Sequence, residues 1–308
     1  MADKKVLIIG TVAFDEVETP KGSSGKIIAG SAIYSALATS FFNVKSAIVS
    51  IVGRDFPEDY FKVLSKRNIN MDGIEIDKSG DTFYWKGRYH KNLNRRDTLV
   101  TNLNTLTNFI PIVPDNFKNP DVALLGNLHP RIQLSVLDQI NNDKTTIILD
   151  TMNYWIKRTW NELVQVVAKT DVITINDEEA LQMTNETNML SAAKKISDMG
   201  PTYIIIKKGE HGSFLYHNNQ MFLAPATILD NVVDPTGAGD SFAGALAGFL
   251  ATQQKLDFET IKTAMVYGSS AASFCVTGFG TESILNTTLS QITEQVEELK
   301  KLICFQAL

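Results

Sequence analysis

Short apolar runs alternate along this chain with longer segments whose apolar residues recur at helical spacing. The runs at residues 6–9, 47–52, 122–125, 146–149, 172–175 and 203–206 read as strands. Between them, residues 31–42 place Ile33, Tyr34, Leu37, Ala38 and Phe41 along one helical stripe. Residues 58–66, 132–140, 178–183 and 190–199 carry weaker versions of that pattern. Strands separated by helices predict βαβ units around a mostly parallel sheet, hence an α/β fold.

Two stretches break the rhythm. Residues 11–28 and 81–109 alternate instead, are rich in Thr, Val, Phe and Tyr, and carry turn residues such as Pro20, Gly22, Gly25, Asn92 and Asn94. They read as hairpins inserted into the α/β body. The expectation is one domain over residues 1–308, with a small β-lid built from insertions at about 11–29 and 80–109. So few strands cannot bury two faces, which leaves Phe14, Val17, Ile27, Phe83, Trp85 and Leu99 as candidates for exposed apolar surface.

A length of 308 residues with 44% hydrophobic and 20% charged positions allows a sizeable core. The net charge of -5 argues against nucleic-acid or membrane-surface partners, which need a basic stripe. The densest basic run spans residues 86–96 beside Tyr84, Trp85 and Tyr89. It reads as a solvated β-ribbon or one that meets a small anionic substrate. Cys275 and Cys304 imply no disulfide framework, which fits a cytoplasmic setting. The opening MADKKVLIIG has a short apolar run far below signal-peptide or membrane-span length, and Val6 to Ile9 read as a buried first strand.

The strongest chemical signal is Asp234-Pro235-Thr236-Gly237-Ala238-Gly239-Asp240-Ser241-Phe242. Pro235 and the two glycines shape a loop, and an apolar helix follows with Phe242, Leu246, Phe249 and Leu250 on one side. Gly244 and Gly248 allow close packing on another side of it. Amides of Gly237, Ala238, Gly239 and Asp240 then gather at a helix N-terminus, where they can hold a phosphate or the charge of a transferring phosphoryl group. Asp240 at the edge of that nest can take a proton from an alcohol. By itself, a GxGD could equally be a loop with a helix-capping aspartate.

The whole string resembles the signature of the ribokinase-like, or phosphofructokinase-B-type, carbohydrate kinases, a family that includes nucleoside kinases. The resemblance implies a three-layer α/β/α sandwich with a β-lid, ATP and Mg2+ as cofactors, Asp240 as catalytic base and an anion hole at Gly237, Ala238 and Gly239. Asn176-Asp177-Glu178-Glu179 looks like the family's NxxE motif, which organises water around the ATP-bound Mg2+; alone it reads as an N-cap before an acidic helical turn. Lys207-Lys208-Gly209 sits where relatives have a nucleotide loop. Gly209 matches that loop, and the lysines depart from it. Alone this is a hairpin turn.

On the acceptor side, Asp15 resembles an aspartate that grips substrate hydroxyls. Gly30 matches half of a Gly-Gly pair, and Tyr34 stands where ribokinase-type members have Asn. Arg88 on the lid is a candidate substrate clamp, and Asp150 and Asn153 end a central strand near the substrate. Asp234 and Thr236, with carbonyls from residues 275–283, match positions that in many relatives bind a monovalent cation such as K+. Many relatives also pack lid against lid, which implies a homodimer here, with Trp85 at its contact.

Competing motifs fail. Gly22-Ser23-Ser24-Gly25-Lys26-Ile27 is too short for a Walker A loop and has Ile where Ser or Thr must reach Mg2+. Around Ser241 a nucleophile elbow lacks its final glycine. His90, His129, His211 and His217 show no zinc spacing, and the first strand has no G-x-G-x-x-G. The sequence reading is a kinase passing the ATP γ-phosphate to a sugar hydroxyl. A nucleoside acceptor, a non-catalytic sensing relative and a Ser241 hydrolase are the alternatives.

Overall fold

The computed structural model describes residues 4–304. Its strands are β1 (Lys5–Ile9), β2 (Ala13–Thr19), β3 (Gly22–Ala29), β4 (Lys45–Gly53), β5 (Ile69–Asp77), β6 (Tyr84–Tyr89), β7 (Arg96–Asn102), β8 (Val122–Leu125), β9 (Thr146–Asp150), β10 (Val172–Asn176), β11 (Tyr203–Lys207), β12 (Ser213–His217) and β13 (Gln220–Ala224). Nine of these form one sheet in the order β13-β12-β11-β10-β9-β8-β1-β4-β5. All of its pairs are parallel except β11–β12 and β12–β13.

The apolar strands predicted from the pattern are the centre of this sheet. In β1, Val6 and Ile8 enter one core and Leu7 and Ile9 the other, so successive side chains are buried on opposite faces. The helices Ser31–Thr39, Ala238–Thr252 and Phe258–Cys275 cover the first face. Pro130–Leu137, Trp160–Val167, Asp177–Thr184 and Met189–Ser197 cover the second. The result is the expected three-layer α/β/α sandwich. Among the described residues no helix is long and apolar enough to cross a membrane.

Gly244 and Gly248 let the helix Ala238–Thr252 lie directly on Ser31–Thr39. A Cβ at Gly244 would overlap the Ser35 backbone, and one at Gly248 would crowd Thr39 and Phe42. The contact is stitched by Ser35 Oγ, which donates to the Asp240 carbonyl at 3.0 Å, and by Thr39 Oγ1, which donates to the Gly244 carbonyl at 2.8 Å. Buried hydroxyls are thereby satisfied while they fix where the helix begins.

The second sheet has the order β3-β2-β6-β7 and arises from the two predicted insertions. Its surface differs from the expectation. Phe14 and Val17 are buried, Ile27, Phe83 and Trp85 are half-buried, and of the six apolar candidates only Leu99 is exposed. Ile27 packs on Gly280, and Asp15 pairs in register with Ile27 and Trp85, so these side chains share the face turned toward the body. The opposite face is ionic. Lys86 bridges Glu16 at 2.7 Å and Glu18 at 3.3 Å, and Arg88 pairs with Glu18 at 2.7 Å. Of the surface expected to pair lid with lid, Phe14 and Val17 are buried within the chain, while Trp85 is half-buried and every residue of β7 is exposed.

Candidate active site

The parallel strands end along one edge of the large sheet, where a ligand crevice is expected in an open α/β fold. Gly10 follows β1, Asp150 ends β9, Asn176 ends β10 and Lys207 ends β11. The anion-hole loop rises beside them. Gly237 caps the helix Ala238–Thr252 at φ 80, a left-handed geometry that favours glycine, and the Tyr34 ring lies against its Cα with no room for a side chain. The Ala238 amide is spent on the Pro235 carbonyl at 3.2 Å, which closes the turn. The Gly237, Gly239 and Asp240 amides donate to no backbone carbonyl among the described residues, the Asp240 amide turning to its own carboxylate, so the expected nest loses Ala238.

Asp240, in the first turn, is half-buried and its carboxyl is pushed up to about 7. Burial is the main cause and the Asp150 charge adds to it, while Lys207 and Arg96 pull it back. Asp15, 6% exposed on β2, is pushed up to about 8 by burial, then by Asp234 and Asp240. The Asp240 charge on the body thus acts on Asp15 on the lid.

Lys207 supplies the nearest cation. Its ammonium pairs with Asp150 at 2.7 Å and lies 3.1 Å from where a Cβ on Gly239 would stand. Burial alone lowers its pKa, but Asp150, Glu179 and Asp240 reverse that, and the net shift is upward. The departure from the nucleotide-loop pattern thus sets a fixed charge against the anion-hole loop.

Asn176 and Glu179 form a capping box. Asn176 Oδ1 accepts from the Glu179 amide at 2.8 Å and Glu179 Oε2 accepts from the Asn176 amide at 2.9 Å. The cap reading and the site reading hold together, since Glu179 is only 7% exposed and faces Asp150. Burial first, then Asp150, push Glu179 up to about 7. Two carboxylates crowded beside a lysine form an oxygen-rich corner that a hydrated Mg2+ fits.

Asp234 is 1% exposed; one of its oxygens accepts from the Thr236 amide at 2.9 Å, and the other makes no hydrogen bond. The Val233 and Asp234 amides both reach the Val276 carbonyl, which ties this loop to the 275–283 segment. Among the described residues no group of three or more His, Cys, Asp or Glu is arranged to hold a metal ion.

Several predicted contacts lie elsewhere. Tyr34 is 1% exposed beneath the Gly237 turn, in the core with Ala29 and Cys275, so its ring supports the loop instead of facing the pocket. Asn153 is exposed at the start of the helix Asn153–Arg158, and its carbonyl accepts from Gln182. Gly30 is explained by backbone approach, since at φ 104 a Cβ there would overlap the Thr11 carbonyl. Gly209 at φ 54 opens the turn after β11, where Asn94 of the lid tip comes within 3.5 Å of its Cβ position. Arg88 lies on the ionic face of the lid, away from Asp15. The lid cation whose charge reaches Asp15, Glu179 and Asp240 is Arg96. Ser241 is wholly buried with its hydroxyl against the Cys275 thiol, which argues against a hydrolase nucleophile that must meet a substrate.

Comparison with known proteins agrees with this geometry. A cytidine kinase of Thermococcus kodakarensis is 27% identical over 249 residues, 80% of this chain and 87% of that protein. A Burkholderia thailandensis nucleoside kinase solved with ADP and inosine superposes with a TM-score of 0.78 at 17% identity, covering 96% of this chain and 95% of that one. An E. coli protein described as a candidate ribokinase II, in complex with ATP and Mg2+, has a TM-score of 0.79 at 19% identity, covering 96% and 99%. The pattern of the pfkB family carbohydrate kinases matches residues 3–288. With that match over nearly its whole length, the chain belongs to the pfkB family of carbohydrate and nucleoside kinases.

Proposed function

We propose that this chain is an ATP-dependent kinase that phosphorylates a hydroxyl of a nucleoside, with Asp240 as general base. The observation that carries the reading is Asp240 itself, a half-buried carboxylate at a helix N-terminus beside two free glycine amides and Lys207. Its elevated pKa makes it a competent proton acceptor near neutrality. The acceptor oxygen gives its proton to Asp240 and uses its electron pair to form the new bond to the γ-phosphorus. The bond from that phosphorus to the bridging oxygen breaks, and its electrons leave on ADP. The amides of Gly237 and Gly239 and the Lys207 ammonium stabilise the charge in transit.

Glu179 and Asn176, with Asp150 nearby, are placed to hold the water shell of Mg2+, which when bound neutralises the phosphates. Asp15 binds acceptor hydroxyls, and because it holds a proton up to about pH 8 it can donate as well as accept. The unpartnered oxygen of Asp234 supports a monovalent cation beside the loop. The lid sheet keeps water from competing as acceptor. A nucleoside acceptor is favoured by the long match to a cytidine kinase. A free sugar is the second reading, favoured by the family's description.

ADP release from MgATP, measured against a panel of purine and pyrimidine nucleosides, pentoses and hexoses, tests this. Turnover of a nucleoside is expected, with K+ raising the rate over a choline control. Turnover of free sugars alone moves the acceptor, and no turnover of any alcohol overturns the kinase reading.

A further inference from the structure

The lid carries an aromatic and cationic ladder built on β6 and β7. In β6, Trp85 and Gly87 are two apart and point the same way. A Cβ on Gly87 would overlap the Trp85 indole, so the ring lies flat across the space a side chain there would take. The indole N–H donates to Thr98 Oγ1 at 3.3 Å, which fixes its rotation. Above the ring stands the Arg96 guanidinium, 5.2 Å from its centroid. Arg96 pairs in register with Tyr89 and hydrogen-bonds to it, and the Tyr89 hydroxyl accepts from Thr236 Oγ1 of the anion-hole loop at 3.2 Å. Gly87, Trp85, Arg96, Tyr89 and Thr236 thus form one continuous chain of contacts from lid to loop.

We propose that Arg96 is a catalytic residue of the lid, held by Trp85 across Gly87 so that its guanidinium contacts the phosphoryl group as it passes from donor to acceptor. The inference rests on the kinase reading above. Arg96 makes no ion pair with a carboxylate among the described residues, so its planar fork keeps donors for an incoming anion. Arg96 is exposed on β7 and tied through Tyr89 to Thr236 of the loop, and its charge is felt by Asp15 at the acceptor end, Asp240 at the reacting position and Glu179 at the nucleotide end, along the proposed line of transfer. Lys207 meets that line from the body, so the two cations flank it. A guanidinium stacked on an indole and bonded to a buried tyrosine is oriented before the ligand arrives, which is the condition under which a fixed charge lowers a barrier most. Trp85, Gly87 and Tyr89 act through Arg96 and are positioning residues.

The test is calorimetric binding of MgADP with and without fluoroaluminate, a planar mimic of the phosphoryl group. In the wild-type protein fluoroaluminate is expected to tighten MgADP binding by roughly 10²-fold or more. Arg96→Ala should lose most of that gain while the affinity for MgADP alone changes by no more than about twofold, because the contact exists only with the group in transit. Gly87→Ala should lose much of the gain with Arg96 still present, and Trp85→Phe should retain it, a contrast that mere lid instability does not produce. A full fluoroaluminate gain in Arg96→Ala overturns the catalytic assignment. A full gain in Gly87→Ala overturns the positioning by Trp85. Failure of the wild-type protein to bind MgADP removes the kinase reading itself, and the proposal with it.

Discussion

Replacing Asp240 by asparagine separates chemistry from stability, because the two effects have opposite signs. Asn has nearly the same shape, and the backbone carbonyl at this position keeps its hydrogen bond from Ser35. Loss of the base should lower kcat by ~10²- to 10⁴-fold. Stability moves the other way. The Asp240 carboxyl is raised from 3.8 to about 7, chiefly by burial and then by Asp150. Between those values the folded chain keeps a proton that the unfolded chain has released, so this group's contribution to stability falls as pH rises through that window. Above it the folded protein bears the whole cost of an ionised Asp240, and Asn removes that cost. Asp240→Asn is therefore expected to melt higher than wild type at about pH 8, and the two should converge toward about pH 4. Asp240 also raises Asp15, so the Asp15 titration contributes to the wild-type profile and shifts with the substitution. Thermal melts of the ligand-free protein across this range, with ADP release on the best acceptor of the panel, give both readouts. A variant that turns over within about tenfold of wild type, or melts lower at about pH 8, refutes the reasoning.

Three further outcomes follow from the same geometry. Glu179→Gln keeps the capping box, since Gln serves at that helix position as well as Glu, so the melting temperature should hold while the Mg2+ concentration for half-maximal rate rises; an unchanged Mg2+ titration leaves Glu179 as a cap only. Ser241→Ala should keep kcat within about threefold and cost little stability, because the buried hydroxyl meets only the Cys275 thiol, a weak partner; abolished turnover would contradict its place outside the chemistry. Lys207→Met removes a cation that lowers Asp240, so the acidic limb of kcat/KM should move up by roughly one pH unit; a limb that stays in place shows that Lys207 does not act on the base.

How much of this was legible in the sequence depends on how local the determining physics is. The central strands announce themselves because both faces are buried and every position must be apolar, as in β8 and β11. β5 and β13 are the two edge strands of the sheet and are harder to read: polar residues interrupt β5, and β13 is five residues long with Met221 and Leu223 left exposed. The anion-hole turn was readable because its geometry is set by the residues in the string itself. That Ala238 turns its amide to Pro235 while Gly237 and Gly239 do not is a matter of a few degrees of backbone, and no residue type encodes it.

Arg88, a candidate clamp from the sequence, lies on the ionic face of the lid for a physical reason that bears on the proposed ladder. A strand's pattern tells which residues share a face but not which face meets the body, since one step of register exchanges the two. In β6 the alternation separates Lys86 and Arg88 from Trp85, Gly87 and Tyr89, yet either set could have faced Asp15. Ionic pairing of Lys86 and Arg88 with Glu16 and Glu18 of β2 resolves the choice, because charges paired across two strands can stay on the solvent side at little cost. That leaves the aromatic set to be buried, and Gly87 is the one residue in it small enough to let an indole lie flat. A charge on the aromatic side must then come from β7, and Arg96, opposite Tyr89, is the one that reaches the carboxylates below. The order of causes runs from the outer ion pairs to the inner stack to the guanidinium. Exchanging Glu18 for Lys should therefore loosen the lid through repulsion with Lys86 and Arg88, while Arg96 keeps its own contacts to Trp85 and Tyr89.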